Sequence, residues 1–504
     1  MGGAGPSGGG DLLLAIDQQT LVTRAFVYAP DGAVLARADK PLRQIYPGPG
    51  RIELDADELW GDTLAACRAA LDQIGATAAD LAAIGIANQR ETALLWDAVS
   101  GRPLGPAIGW QDRRTAALCA SLRAEGLEAD VAARTGLRLD PTFSATKLAW
   151  MLDATPGLRA RAEAGSVRFG TIDSWLLWRF TGGQVHATDA TNAARTLLFN
   201  LHSQAWDPML QAIFRVPAPV LPQVHDTAAA FGDTDAAPFG RAVPIRALVG
   251  NQQAALAGQG CLRPGLANCS YGTGAFALVH AGETVPRSAH RLLATPAWRL
   301  GGRSAFALEG AILNAGTAVA WLRDGLGVLR DVAESEALAE AAEGSTPVYF
   351  VPAFTGFGAP HWNADARGAI LGLTRETTRA EVARAALEAQ AFQTRDLLDA
   401  MALDLGAPVE RLRVDGGVTR NDFACQAIAD LCGVPVERGG DPNPSARGAA
   451  VMAAVGAGLI AGPADAPAWQ AARIFEPRMG DNERKARLDG WRRAVRAVLA
   501  MAEA

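Results

Sequence analysis

Three short polar turns carry the first chemical signal in this chain. Asp17-Gln18-Gln19-Thr20, Tyr271-Gly272-Thr273-Gly274 and Asp415-Gly416-Gly417 each follow an apolar run. Such turns expose backbone N–H groups and let a phosphate or a nucleoside approach the main chain closely. Taken singly, each is equally an ordinary chain reversal, and Asp17 at a strand end is equally a turn-forming Asx residue. A fourth polar cluster, Asn88-Gln89-Arg90-Glu91, closes the apolar run from Leu81 to Ala87. Adjacent charges at a strand end are usually a solvated surface pair.

The elements that must position these residues follow from the apolar pattern. Leu12 to Ile16, Ala25 to Tyr28 and Ala33 to Ala36 read as a strand meander with Asp17 at its first turn. Asp55, followed three residues later by Glu58, opens a periodic stretch through Leu71 that reads as a helix with a capping-box start. Leu81 to Ala87 reads as a buried strand. The same grammar returns later, where Ala267 to Ser270 and Ala275 to Val279 flank the second turn. Arg379 to Met401 has the length of a long buried helix, and Leu412 to Val414 is a strand ending at the third turn. The Ala- and Gly-rich stretch from Ala449 to Gly462 reads as a tightly packed internal helix, too short to span a bilayer.

Size and charge narrow the class. A chain of 504 residues is too long for one ordinary core, so two large domains are expected. With a net charge of -6 the surface has no field suited to nucleic acid or anionic lipid. The six cysteines form no C-x-x-C pair and no metal-ligand spacing, which points to reduced, buried thiols. The N-terminus has neither a basic region nor a long apolar core, so no signal peptide is expected, and a cytoplasmic location without membrane insertion follows by default. Residues 1–10 read as a disordered Gly-rich lead-in, 11–255 as an N-terminal domain and 256–504 as a C-terminal domain.

The order of the turns is joined by longer stretches: Gly85-Ile86-Ala87-Asn88-Gln89-Arg90-Glu91-Thr92, Trp110-Gln111-Asp112-Arg113-Arg114-Thr115, Phe143-Ser144-Ala145-Thr146-Lys147 and Phe354-Thr355-Gly356-Phe357-Gly358-Ala359-Pro360. With these the chain resembles the glycerol kinases of the FGGY carbohydrate kinase family, from about Leu13 to the Trp491 region. The resemblance implies an α/β fold of two actin-like, ribonuclease H-like domains with an inter-domain active-site cleft. It implies ATP and Mg²⁺, with phosphoryl transfer to a small polyol such as glycerol. On the polyol side it implies Arg90 and Glu91 as hydroxyl partners, Trp110 and Phe276 packed on the carbon skeleton, and Thr142, Asn251 and Gln252 as further lining. On the nucleotide side it implies Asp17 near the metal, Thr20, Arg24 and Thr273 near phosphates, Gly316 and Gly417 as close backbone approaches, and Asn421 at the adenine. Homo-oligomers are common among such kinases.

Departures from the family pattern fall at the reacting centre. Asn251 stands where the resemblance implies the Asp that serves as catalytic base, and an amide has no useful basicity. Gln19, Leu21 and Val22 replace a Gly and two hydroxyl residues of the first phosphate turn. Thr142 replaces a Tyr, with a wider polyol pocket expected, and Ala320 replaces a Gln near the nucleotide. Two readings follow: a glycerol kinase-like enzyme slowed at Asn251, or a kinase-fold protein that binds polyol or nucleotide as a sensor or partner. The segment Ala236 to Val243 has neither the Gly-rich character of a sugar-phosphate regulatory loop nor a histidine, so neither form of regulation is expected there.

Overall fold

The computed structural model describes residues 10–343 and 347–502. The lead-in expected over residues 1–10 therefore lies almost wholly outside the described residues. The chain forms two compact units, each of which is built around its own sheet. The first unit takes the chain to Gly260 and adds Thr295–Phe306 and Pro444–Ala468, and the second takes the rest. The continuous division at 255 read from the sequence thus differs from the contact pattern, because a late helix packs back into the first unit.

In the first unit, β1 (Leu12–Gln18), β2 (Val22–Tyr28), β3 (Val34–Pro41), β4 (Leu81–Asn88) and β5 (Ile245–Gly250) form one sheet in the order β5-β4-β1-β2-β3. The meander β1-β2-β3 is antiparallel, whereas β4 and β5 join β1 in parallel. Every residue of β1 is buried, as expected of a central strand covered on both faces. Leu12, Leu14 and Ile16, with Ile84, Ile86, Leu248, Trp96 and Trp175, form a continuous core on one face of the sheet. Register sets the site: Gln18 pairs with Asn88, and Asn88 with Gly250, so the polar C-terminal ends of three parallel strands lie side by side. In open α/β sheets this edge is where ligands bind.

Two helices cover the sheet in ways the sequence shows only in part. The helix α1 (Ala56–Gln73) begins as expected at Asp55, whose side chain accepts from the N–H groups of Asp57 and Glu58. The reciprocal half of the capping box is replaced, because Glu58 pairs with Arg43 at 2.6 Å instead. The late helix spans Pro444–Gly456, so it starts earlier and stops sooner than the Ala449 to Gly462 stretch suggested. It crosses α2 (Asn251–Gly258) at backbone contact: a Cβ on Gly448 would sit 1.9 Å from the Ala254 carbonyl oxygen, and one on Gly258 would sit 2.0 Å from that of Pro444. Small residues are therefore obligatory at this crossing.

The second unit is organised by β6 (Leu266–Tyr271), β7 (Ala275–Gly282), β8 (Arg303–Ile312), β9 (Arg411–Asp415), β10 (Val436–Gly439) and β11 (Ala471–Phe475), adjacent in the order β8-β7-β6-β9-β10-β11. Here too an antiparallel hairpin, β6-β7, is joined in parallel by a later strand, β9. A 27-residue helix, Arg379–Leu405, supplies much of its core, including Ala389, Phe392 and Met401. All six cysteines are buried and unpaired. No described helix is long and apolar enough to cross a membrane.

Candidate active site

In the first unit the sheet edge gathers most of the residues expected to meet a polyol. Arg90 and Glu91 follow β4 directly and are buried rather than solvated, each with 4% of its surface exposed. Glu91 adopts the left-handed conformation (φ 64°), uncommon for a residue with a side chain. Its carboxylate accepts from Arg195 Nε at 2.6 Å, and Arg90 Nε lies 3.9 Å away. Arg90 runs along the start of α2: it donates from Nη1 to Gln253 Oε1 at 3.3 Å, and its Cδ would be 2.9 Å from a Cβ on Gly250. Asn251, the first residue of α2, therefore sits beside Arg90 at a helix N-terminus, with Gly250 N donating to Thr191 Oγ1 at 2.8 Å.

Trp110 and Thr142 join the same cluster. Thr92 Oγ1 accepts from the Trp110 backbone N–H at 3.2 Å, and the indole Nε1 donates to Thr20 Oγ1 at 3.0 Å. The hydroxyl of Thr142, a residue expected to line the polyol pocket, donates to Asp140 Oδ1 at 2.7 Å. Its carbonyl accepts from Lys147 Nζ at 2.5 Å. Gln252 Oε1 is buried and has no hydrogen-bond partner among the described residues.

The first phosphate turn is occupied by its own side chains. Asp17, the sixth residue of β1, is fully buried, and its Oδ2 accepts from Ser445 Oγ at 2.8 Å and from Gln19 Nε2 at 2.7 Å. Burial pushes its carboxyl above the usual range, although these donors, Arg24 and Arg37 pull the other way. Asp17 Oδ1 is buried without a hydrogen-bond partner among the described residues. The Gln19 carbonyl accepts from Gln18 Nε2 at 2.9 Å and Gln89 Nε2 at 3.1 Å, while Leu21 is 58% exposed. Arg24 lies across the meander, with Nε 3.7 Å from Asp39 Oδ2.

The second unit brings the other expected nucleotide turns together. The Gly272 carbonyl accepts from Gly316 N at 3.0 Å and the Thr273 carbonyl from Ala315 N at 3.0 Å. Gly316 begins the helix Gly316–Asp324, which also carries Ala320. Gly416 (φ 97°) lies against β6, where a Cβ would come 2.2 Å from the Tyr271 oxygen, so Gly417 begins its short helix at this turn. A Cβ on Gly316 would lie 3.5 Å from Val418 Cγ2. Asn421 caps the helix Asp422–Cys432: its Oδ1 accepts from Ala424 N at 2.8 Å and its Nδ2 donates to Ser335 Oγ at 3.3 Å. Phe276 lies on β7, the strand that follows the turn.

Residues that pattern reading missed hold the expected ones in place. Ser445, Arg195, Lys147 and Thr191 contact Asp17, Glu91 or the Gly250 turn from distant sequence. Ser445 is 428 positions from Asp17, and no local signal could have joined them. Phe143-Ser144-Ala145-Thr146-Lys147 did stand out as a motif, without a role.

Two units built on a strand meander extended by parallel strands, with glycine turns at the strand ends, define the actin-like, ribonuclease H-like class of phosphotransferases. The N-terminal domain pattern of the FGGY family of carbohydrate kinases matches residues 12–258 and its C-terminal domain pattern matches 267–457; the chain belongs to this family. It is 54% identical to a glycerol kinase of Rhodospirillum rubrum over 487 residues, covering 96% of this chain and 98% of that protein. A glycerol kinase of Alcanivorax borkumensis is 52% identical, with the same coverage. Among solved structures, a Plasmodium falciparum glycerol kinase with ADP superposes with a TM-score of 0.92 at 32% identity, covering 97% of this chain and 98% of that one. A xylulose kinase of Rhodospirillum rubrum shares the fold, with a TM-score of 0.85 at 23% identity and coverage of 98% and 100%.

Proposed function

We propose that this protein transfers the γ-phosphoryl group of ATP to a terminal hydroxyl of glycerol or a similar small polyol. The observation that carries this reading is the buried Arg90–Glu91 pair at the end of β4, beside Asn251. A buried donor and acceptor with fixed orientation suit vicinal hydroxyls, which both donate and accept. The full-length likeness to glycerol kinases supports the choice of polyol.

In this reading Arg90 donates to one hydroxyl, Glu91 accepts from another, and Gln252 offers its unpartnered Oε1 to a third. Trp110 offers an aromatic face to the carbon skeleton in the first unit, and Phe276 is the candidate aromatic of the second. Asn251 accepts a hydrogen bond from the attacking hydroxyl through Oδ1 but takes no proton. Loss of a general base typically costs about 10²- to 10⁴-fold. Phosphoryl transfer through a loose transition state depends mainly on positioning and charge stabilisation, so measurable turnover remains.

In the first unit Thr20 and Arg24 are the candidate phosphate contacts; in the second Thr273 is the candidate phosphate contact, Gly316 and Gly417 allow close backbone approach, and Asn421 is the candidate adenine contact. Mg²⁺ fits at Asp17, whose buried Oδ1 lacks a partner, and Asp17 would hold it through water. No cluster of three metal-ligating side chains is found among the described residues. When bound, the ion neutralises charge on the transferred phosphates. A cytoplasmic location is part of the same proposal.

A coupled ADP-release assay with glycerol, erythritol and xylitol tests it. Glycerol-dependent ADP release is expected, and release that no polyol stimulates would sink the assignment.

A further inference from the structure

We propose that Lys147 is a positioning residue, clasping the backbone carbonyls of Glu91 and Thr142 so that the Glu91 carboxylate is presented to the polyol in one orientation. This rests on the reading of Glu91 as a hydroxyl partner given above.

Lys147 is completely buried, yet its ammonium group meets no carboxylate among the described residues. It donates instead to the carbonyl of Glu91 at 3.3 Å and to that of Thr142 at 2.5 Å. Burial pulls its pKa down to about 7, against the raising effect of Glu91, Asp112 and Asp140. An amine kept at that cost needs a return greater than filling space, which an apolar side chain would achieve without desolvation. Lysine donates in either charge state, so both carbonyls remain served when it loses its proton.

The carbonyl it holds belongs to the expected polyol contact whose backbone is left-handed. Ser144 Oγ donates to that same oxygen at 3.0 Å, so two side chains from one helix start (Ser144–Ala154) converge on one strained peptide. The clasp reaches the side chain as well. Arg195, which binds Glu91 Oε1, stacks its guanidinium over the Phe143 ring at 5.3 Å, and Ala145 N donates to the Thr196 carbonyl at 2.8 Å. Residues 143–147 thus hold the main chain of Glu91, the partner of its carboxylate and the Thr142 loop together.

The test uses the full chain with Lys147→Met, which keeps length and removes the donors, and Ser144→Ala, which removes one of the two donors while keeping the lysine. Lys147→Met should raise the glycerol KM about tenfold or more while the nucleotide Kd measured by calorimetry stays within about twofold. It should also erode the preference for glycerol over 1,2-propanediol, which lacks one hydroxyl. Ser144→Ala should shift both in the same direction by less, and it serves alone if Lys147→Met does not fold. Backbone hydrogen exchange over residues 89–95, read without any polyol, should accelerate in both variants. Unchanged exchange there in both variants overturns the clasp whatever glycerol does, as does accelerated exchange with an unchanged glycerol KM. Accelerated exchange in a protein whose wild type binds no polyol upholds the clasp and overturns the polyol reading of Glu91.

Discussion

Replacing Asp17 with Asn separates what the buried carboxylate costs from what it does. Ser445 Oγ and Gln19 Nε2 both donate to Oδ2, and Oδ1 has no partner among the described residues. An amide fits this pattern, since its oxygen accepts both donors and its nitrogen takes the place of Oδ1. Burial holds the Asp17 carboxyl above its unfolded pKa. A carboxyl raised in this way contributes stability that is fully present below the unfolded pKa and is lost as pH rises through the folded pKa. Above the unfolded pKa, burial of this carboxyl is therefore a net cost to the first unit. Leaving a buried polar group short of a partner costs about 1–3 kcal/mol, more when it is charged, and the new amide nitrogen would retain part of that cost. The expected net gain is about 1–2 kcal/mol, or a rise of about 2–3 °C in the Tm of a unit of this size. Calorimetric melts of both proteins from about pH 8 down to about pH 4 should show the variant ahead at the upper end and the gap closing toward the ordinary Asp pKa. The variant should also lose Mg²⁺-dependent nucleotide binding. A Tm at or below wild type near pH 8 would show that burial of the Asp17 carboxyl costs the fold nothing at that pH.

Asn251→Asp should raise kcat by about tenfold to a thousandfold in the ADP-release assay, since a carboxylate at the start of α2 restores a proton acceptor and is favoured by the helix N-terminus. An unchanged rate would place the defect elsewhere. Gln19→Ala removes one of the two donors on Asp17 Oδ2 and should tighten Mg²⁺-nucleotide binding about tenfold by calorimetry, the worth of one charge-assisted hydrogen bond. Equal affinity would show that Gln19 does not compete for Asp17. Gly448→Val should cost more than about 3 kcal/mol in urea unfolding, because the new Cβ would meet the Ala254 carbonyl. A near-wild-type midpoint would contradict the close crossing of α2 and the Pro444–Gly456 helix.

What was legible in the sequence is what depends on local pattern. The β1-β2-β3 meander, the β6-β7 hairpin and the helix beginning at Arg379 follow from apolar runs and turn residues, and the structure extends each by a few residues. The polar turns lie at strand ends, because a strand's last residues are where an apolar pattern can stop without burying unpaired groups. Long-range pairing was not legible. Ser445 reaches Asp17 only because the Pro444–Gly456 helix folds back onto the first unit. The sequence pointed to a solvated surface pair at Arg90-Glu91 when read without family knowledge, and burial by Arg195, Gln253 and Lys147 reverses that reading. The Thr142 hydroxyl bonds locally, donating to Asp140 Oδ1, a contact that the family pattern does not show. Gln19, which replaces a Gly of the family pattern, folds its amide onto Asp17, a contact that its residue type alone does not predict.

With Asn251 where the family resemblance implies a catalytic Asp, this chain is expected still to move a phosphoryl group onto a polyol hydroxyl. Phosphorus NMR of ATP, Mg²⁺ and glycerol with the wild-type protein tests it directly. A phosphomonoester resonance growing in step with ADP is the predicted result. ATP that stays intact, or yields only inorganic phosphate, while calorimetry shows glycerol bound would contradict it.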